Sequence, residues 1–399
     1  MQKQFSRSAA LGLATVLVST LSASSHAVWT YSSVIDTTAA APSGSFSSFG
    51  SVIQMSNGVV VGTATYGANS LVYRGTGGGT YQSVAKAGDA APSGTFSSFG
   101  SPGIGGTTIS YRGVYGATTS LFLDNGGTRT TVISTGDAAP VGTFTNFGNS
   151  RNSGNTVVFN GTYNSGNDSG IFVKNGGTLT TLNKTGDTGP GGGVFSGFGL
   201  PVISGSNVAY QGFTATSRAN YFWNGTRQTI VTVGDAAVGL TGNFTDVLQP
   251  ALSGSTAAFL GLTATSRGIY RWQGGALTLL AKVGDPASTG TFTDFSSNVS
   301  ISGNIVAYTG VFNGTNRAVM LHNGSFASEV IKTGDSLFGS TVTALGTTGF
   351  IDQNQAVAFT YTLADGRLGV AVAVPEPGTM LALGLGGLAL IRRRKARKN

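Results

Sequence analysis

No cysteine occurs among the 399 residues. Disulfides, thiol catalysis and zinc sites built on cysteine are therefore excluded, and stability has to come from packing. Histidine is nearly as scarce. His26 lies near the N-terminus, five residues past an apolar stretch, which leaves His322 as the one imidazole further along the chain. A Ser-His-Asp relay or a histidine metal cluster is hard to assemble from one such residue, and a lone histidine is more often structural. Glutamate is confined to Glu329 and Glu376, and charged residues make up only 10% of the chain, against about 25% in ordinary domains. Paired carboxylates for glycoside hydrolysis meet in space, so spacing does not dismiss them. The pool from which to draw them is nevertheless small. No Gly-x-x-x-x-Gly-Lys-Ser/Thr phosphate loop is present.

The net charge of +8 overstates the basic character of the body. Lys3 and Arg7 lie at one end, and Arg392, Arg393, Arg394, Lys395, Arg397 and Lys398 at the other. Without those eight of 23 basic residues, 15 remain against 15 acidic ones. The body is neutral, and nucleic-acid binding, which needs a basic patch on the folded part, is not expected.

Glycine is abundant at 63 residues, alongside 40% hydrophobic residues rich in Val, Ile, Phe, Tyr and Leu. That mixture favours many short strands joined by tight turns, and it argues for a folded chain. The length allows two or three average domains or one large all-β body.

The two ends read as targeting segments. Lys3 and Arg7 precede an apolar stretch from about Ala9 to Leu21, and Ser25-His26-Ala27 offers small residues for signal peptidase. This is the layout of a secretory signal peptide over 1–27, cleaved after Ala27. At the other end Pro375-Glu376-Pro377 precedes an apolar stretch, 378–391, and then a cationic cluster that includes Arg392, Arg393 and Arg394. Fourteen residues rise about 21 Å as a helix, short of a ~30 Å hydrocarbon core. Such a segment spans only marginally, with snorkelling cations and a thinned bilayer. The cations should stay cytoplasmic, which puts the body outside.

In all three parts, 374–399 resembles the PEP-CTERM sorting signal. The resemblance implies handling by an exosortase, a membrane-embedded protease or transpeptidase acting at the motif. It also implies a Gram-negative host that makes extracellular polysaccharide.

Between the ends the chain repeats. A Gly-Asp step returns at Asp89, Asp137, Asp187, Asp235, Asp285 and Asp335, spaced by 48 or 50 residues, with a degenerate copy at Asp36. A phrase follows it: AAPSGSFSSFG at 40–50, AAPSGTFSSFG at 90–100 and AAPVGTFTNFG at 138–148. Each unit then offers a second strand rich in β-branched and aromatic residues (NTVVFNGTY, NVAYQGFT) and a shorter third (GIFVKNG, NYFWNG). A hairpin signal such as Asn-Gly follows. A fourth strand leads into the next Gly-Asp. Seven second and seven third strands can be counted, but only six fourth strands follow them. The mature N-terminus, VWTYSSVID, reads like the missing one.

Four strands per ~50 residues is the size of a propeller blade. The reading is an all-β, seven-bladed β-propeller over 28–373, closed by its N-terminal strand, which leaves no unpaired edge. A β-solenoid, which would need capping repeats, or a string of small sandwiches is the alternative. The pieces ISGSNVAY and ISGNIVAY also resemble, loosely, the tandem repeats of anchored bacterial surface proteins.

Candidate site residues are few. The repeated aspartates read as turn caps rather than calcium ligands, since calcium needs several oxygens together. Paired phenylalanines (Phe46 and Phe49, Phe96 and Phe99, Phe144 and Phe147, Phe195 and Phe198, Phe292 and Phe295) read as packing between blades rather than a sugar platform. Trp223 and Trp272 share one repeat position and read as strand packing. No cofactor, metal or catalytic residue is expected. The functional expectation is an exported, exosortase-sorted, non-catalytic protein of the cell surface or extracellular matrix, partnered by signal peptidase, exosortase, the inner membrane and an extracellular polysaccharide. The alternative is a propeller lyase or hydrolase.

Overall fold

The computed structural model describes residues 28–189 and 193–376, with backbone alone for 347–349. The expected signal peptide with Ala27, the apolar segment 378–391, Pro377 and the tail cations lie outside the described residues. What is described is a seven-bladed β-propeller. Among the described residues there is no α-helix, only a 3-10 turn at Asn164–Gly166.

A typical blade is the third. Its innermost strand comes in two pieces, Phe144–Phe147 and Arg151–Ser153; Thr156–Tyr163, Asp168–Asn175 and Thr178–Lys184 follow outward in antiparallel order. The break in the inner strand was not legible from the repeat phrase, which reads as one strand. It falls at the glycine after the second Phe. Gly148 N–H bonds Asn160 O at 2.9 Å, and the equivalent Gly50 bonds Thr63 O at 2.7 Å. A Cβ at Gly50 would lie 2.3 Å from Thr63 Oγ1, so only glycine brings the chain this close. In the sixth and seventh blades the inner strand runs through as Phe292–Ser302 and Ser340–Ile351.

The ring closes as the strand count predicts. The first strand, Trp29–Asp36, is the outermost strand of the last blade and pairs antiparallel with Leu368–Pro375. Its side chains reach back to the sixth blade. Trp29 Nε1 donates to Glu329 O at 3.0 Å, and Tyr31 Oη to Val330 O at 2.5 Å. Burial of its hydroxyl, reinforced by Asp335 and Glu329, pushes the Tyr31 phenol up to about 12.

Seven hydrophobic clusters fill the seven gaps between blades. The paired phenylalanines form one wall of each gap in the blades that have them. The first Phe lies on the glycine of the second strand of its own blade. A Cβ on Gly113, Gly161, Gly212, Gly261 or Gly310 would come within 2.2–2.8 Å of the ring of Phe96, Phe144, Phe195, Phe244 or Phe292. The ring then meets the third strand edge-on, as Phe144 does with Phe172 at 5.0 Å and 85°. Phe244 belongs to this series although Val247 replaces its second Phe, and the looser phrase GNFTDV hid it.

The first and last blades reach the same volume differently. In the first, Ala64 takes the glycine position, and Gly62 stands where other blades carry Phe or Tyr; the Tyr73 hydroxyl fills that space, 2.6 Å from an added Cβ. In the last, Val342 replaces the Phe and Tyr361 replaces the glycine, so the ring comes from the second strand and lies over Gly369.

Polar side chains stitch blade to blade. The residue before the second-strand glycine donates to a backbone carbonyl of the next blade's inner strand. These bonds are Arg112 to Phe147 O at 3.3 Å, Asn160 to Phe198 O at 2.6 Å, and Gln211 to Val247 O. Near the opposite face, serines accept from the following blade: Gly205 N–H to Ser153, Gly254 to Ser204 and Gly303 to Ser253, at 2.8–3.1 Å. Asp352 takes that role toward Gly58 across the closure, at 2.7 Å. The recurring Ser-Gly step of the sequence is therefore a latch between blades.

The glycine contact is the most exposed to test. Gly161→Ala should lower stability by about 1–3 kcal/mol through overpacking against Phe144. In the same chain Phe144→Val, which imitates the last blade, should restore part of the loss. Denaturant midpoints of the three proteins measure this; an unchanged midpoint for Gly161→Ala would contradict the packing described.

Candidate functional site: the axial channel and the sorting junction

Two places gather groups that packing does not fully explain. The first is the axis. Inner-strand residues of all seven blades line a cavity of about 240 Å³. Val52, Ile104, Leu200, Val202 and Phe350 give it apolar walls, and Gln54, Asn149, Gln249 and Asn298 add amides. Among the described residues Arg151 is the one charged side chain in the lining. Its Nη1 donates to Ser150 O at 2.9 Å and Pro102 O at 3.4 Å. Desolvation pushes the guanidinium down to about 10, so it stays protonated at neutral pH. Among the described residues no carboxylate lines the cavity. The sequence pattern gave no sign of Arg151, because each inner strand contributes only a short segment there and the seven segments lie about 50 residues apart.

The repeated aspartates stand apart from the axis, in the turns that lead from each outermost strand to the next blade. Each accepts a backbone N–H three residues back: Lys86 for Asp89, Ser134 for Asp137, Lys184 for Asp187, Thr232 for Asp235, Lys282 for Asp285 and Lys332 for Asp335, at 2.7–2.9 Å. Asp36 instead accepts from Thr38, two residues on, at 2.8 Å. Among the described residues no three His, Asp or Glu side chains gather as a metal site would need.

The second place is the corner where both ends of the ring meet. Trp29 is paired with Pro375, and Glu376 N–H donates to Val28 O at 2.9 Å. The first two residues of the sorting motif thus lie opposite the first two residues after the expected signal-peptide cut, joined by the Glu376–Val28 bond. The strand from Trp29 ends at Asp36, so this corner lies on the face opposite the aspartate turns.

The fold and this junction define a class: a β-propeller carrying a C-terminal sorting signal. The PEP-CTERM protein-sorting motif matches residues 373–395, and the chain is an exported, exosortase-sorted protein held transiently in the membrane and then carried to the surface. The chain belongs to the family of unknown function DUF7453, whose model matches residues 117–337. No curated protein matches it. Among solved structures it is similar to the beta-propeller domain of the Trilobed protease from Pyrococcus furiosus, described as having an open velcro topology. The TM-score is 0.53 at 8% identity, covering 82% of this chain and 95% of that one. It is also similar to the acylaminoacyl peptidase of Pyrococcus horikoshii, with a TM-score of 0.52 at 9% identity, covering 80% of this chain and half of that one. At such identities the likeness concerns the fold alone.

His322 lies in the third strand of the sixth blade, nearly buried, and its Nδ1 accepts the Gly324 N–H at 2.9 Å. Desolvation, with the nearby Arg271, lowers its pKa, and Asp285 opposes the shift only in part. A histidine depressed in the folded state binds fewer protons there than when unfolded. Its contribution to stability is therefore present above the unfolded value of about 6.5 and is lost progressively as the pH falls from there through the lower folded value. Thermal unfolding at pH values from about 7.5 to 5 should show this loss in the wild type and a smaller one in His322→Gln. Equal acid sensitivity in both proteins would refute it.

Proposed function

We propose that this protein is a non-catalytic propeller displayed at the cell surface or in the extracellular matrix, where it binds polysaccharide. The junction carries the reading. Because the sorting motif begins within the last strand of the ring, processing at the motif leaves every blade, the closing strand included, in the released body. While the tail still anchors the chain, the body is periplasmic. The corner of Val28 and Glu376 then faces the bilayer, and the aspartate turns face away from it.

Support for a non-catalytic role comes from where the acids are spent. The repeated aspartates bond backbone in turns. Asp246, Asp294, Asp365 and Glu329 pair with Arg218, Arg267, Arg367 and Lys332. Few carboxylates are left for acid–base work, and the axial cavity offers none.

Glu376→Ala in an exosortase-positive host should leave the C-terminal tail attached, read as a C-terminal peptide that keeps the residues beyond the motif which the processed wild-type protein has lost. An unchanged mature end would contradict sorting at this motif. Pull-down of the full chain with the host's extracellular polysaccharide should retain it; passage through unbound would remove the polysaccharide part of the reading.

A further inference from the structure

Arg151 breaks the repeat where the repeat should matter least for packing. Its position opens the second piece of the inner strand. The seven blades place Gln54, Gly103, Arg151, Val202, Ala251, Ser300 and Phe350 there, paired with equivalent second-strand residues. Six neutral residues and one cation occupy equivalent sites around the axis. A repeat protein has no packing need for that cation, since its six neighbours do without it.

The cation is also left without its usual counterpart. A partly buried charge without a counterion gives up part of its hydration uncompensated. Arg151 makes no ion pair, and desolvation, with no neighbouring carboxylate, accounts for its depressed pKa. Two backbone carbonyls satisfy Nη1. Among the described residues no hydrogen bond engages Nε or Nη2, and neither is sealed from solvent-sized contact, as the Nε atoms of Arg112 and Arg129 are. The free edge is the fork that matches a planar carboxylate in a bidentate pair. The neighbouring blade approaches closely on the backbone side: a Cβ at Gly103 would be 3.0 Å from Arg151 Cα.

The rest of the cavity narrows the ligand. Amides of Gln54, Asn149 and Asn298 suit hydroxyl groups, which both donate and accept. The apolar wall of Ile104, Leu200 and Phe350 suits the C–H face of a small ring. A volume of about 240 Å³ sits just below the usual range for ligand pockets, roughly 300–1,000 Å³, and limits the occupant to about one monosaccharide.

We propose that the axial cavity binds a small hydroxylated carboxylate, of the kind a sugar acid presents, through the Nε and Nη2 edge of Arg151. This site goes beyond the display function: binding of a polymer to the outer surface can fail without touching it, and the reverse also holds.

The test uses the full chain in mild detergent, followed by thermal unfolding in sodium glucuronate, glucose, sodium phosphate and sodium chloride at matched ionic strength. Glucuronate should raise the unfolding temperature, and the three controls should not. Arg151→Met should lose the glucuronate shift, and its dissociation constant by calorimetry should weaken at least about tenfold. Should Arg151→Met fail to fold, Arg151→Lys keeps the charge while losing the planar fork, and it should weaken glucuronate binding by a similar factor. Absence of a glucuronate shift, an equal shift with phosphate, or an equal shift in the Met or Lys variant would each overturn the proposal.

Discussion

The structure depends on one antiparallel pairing, that of Trp29–Asp36 with Leu368–Pro375. It joins residues some 340 positions apart, which costs roughly 5 kcal/mol of loop-closure entropy because that cost grows only with the logarithm of length. Val34 and Ile35, both fully buried in the gap between the last and first blades, offset about 1.5–3 kcal/mol each. Trp29 and Tyr31 add packing and two hydrogen bonds on the sixth-blade side. Remove the strand and two of the seven interblade clusters open, and the last blade exposes an unpaired edge.

Within the ring, one contact recurs with compensated exceptions. A phenylalanine on the inner strand needs a second-strand glycine beneath it in five blades. Where the glycine is lost, another residue shrinks: Gly62 compensates for Ala64, and Val342 with Gly369 makes room for Tyr361. Volume per blade is held constant while the identity of the large residue moves from strand to strand, as close packing of an interior demands.

Much of this was legible in the sequence, for physical reasons. Strands of seven or eight residues with β-branched and aromatic runs announce themselves, and Gly-Asp steps at near-constant spacing fix the unit. Counting fourth strands located the closing partner of 368–375. The sorting signal was readable because charge, apolar length and the Pro-Glu-Pro motif occur in order. What escaped notice depends on three-dimensional neighbours. The inner-strand pieces around the axis, such as Arg151–Ser153, are three residues long and carry no periodicity, so the charge of Arg151 looked like any other. The Ser-Gly latch was visible as a phrase, yet its meaning lies in a bond from Gly205 to Ser153, one blade away. Phe244 was missed because Val247 stands in place of its partner aromatic.

The first residue after the expected signal-peptide cut and the sorting motif meet at the closing pair, with Val28 and Glu376 joined by one backbone bond. The chain's lack of cysteine makes the most direct measurement clean. Ser33 and Ala371 face each other across the closing pair, and Ser33→Cys with Ala371→Cys in one chain introduces the only two thiols. Mild oxidation of the native protein should give a quantitative intramolecular disulfide and a raised unfolding temperature. Free thiols that remain reactive, or dimers linked between chains, would show that the N-terminal strand does not close the ring.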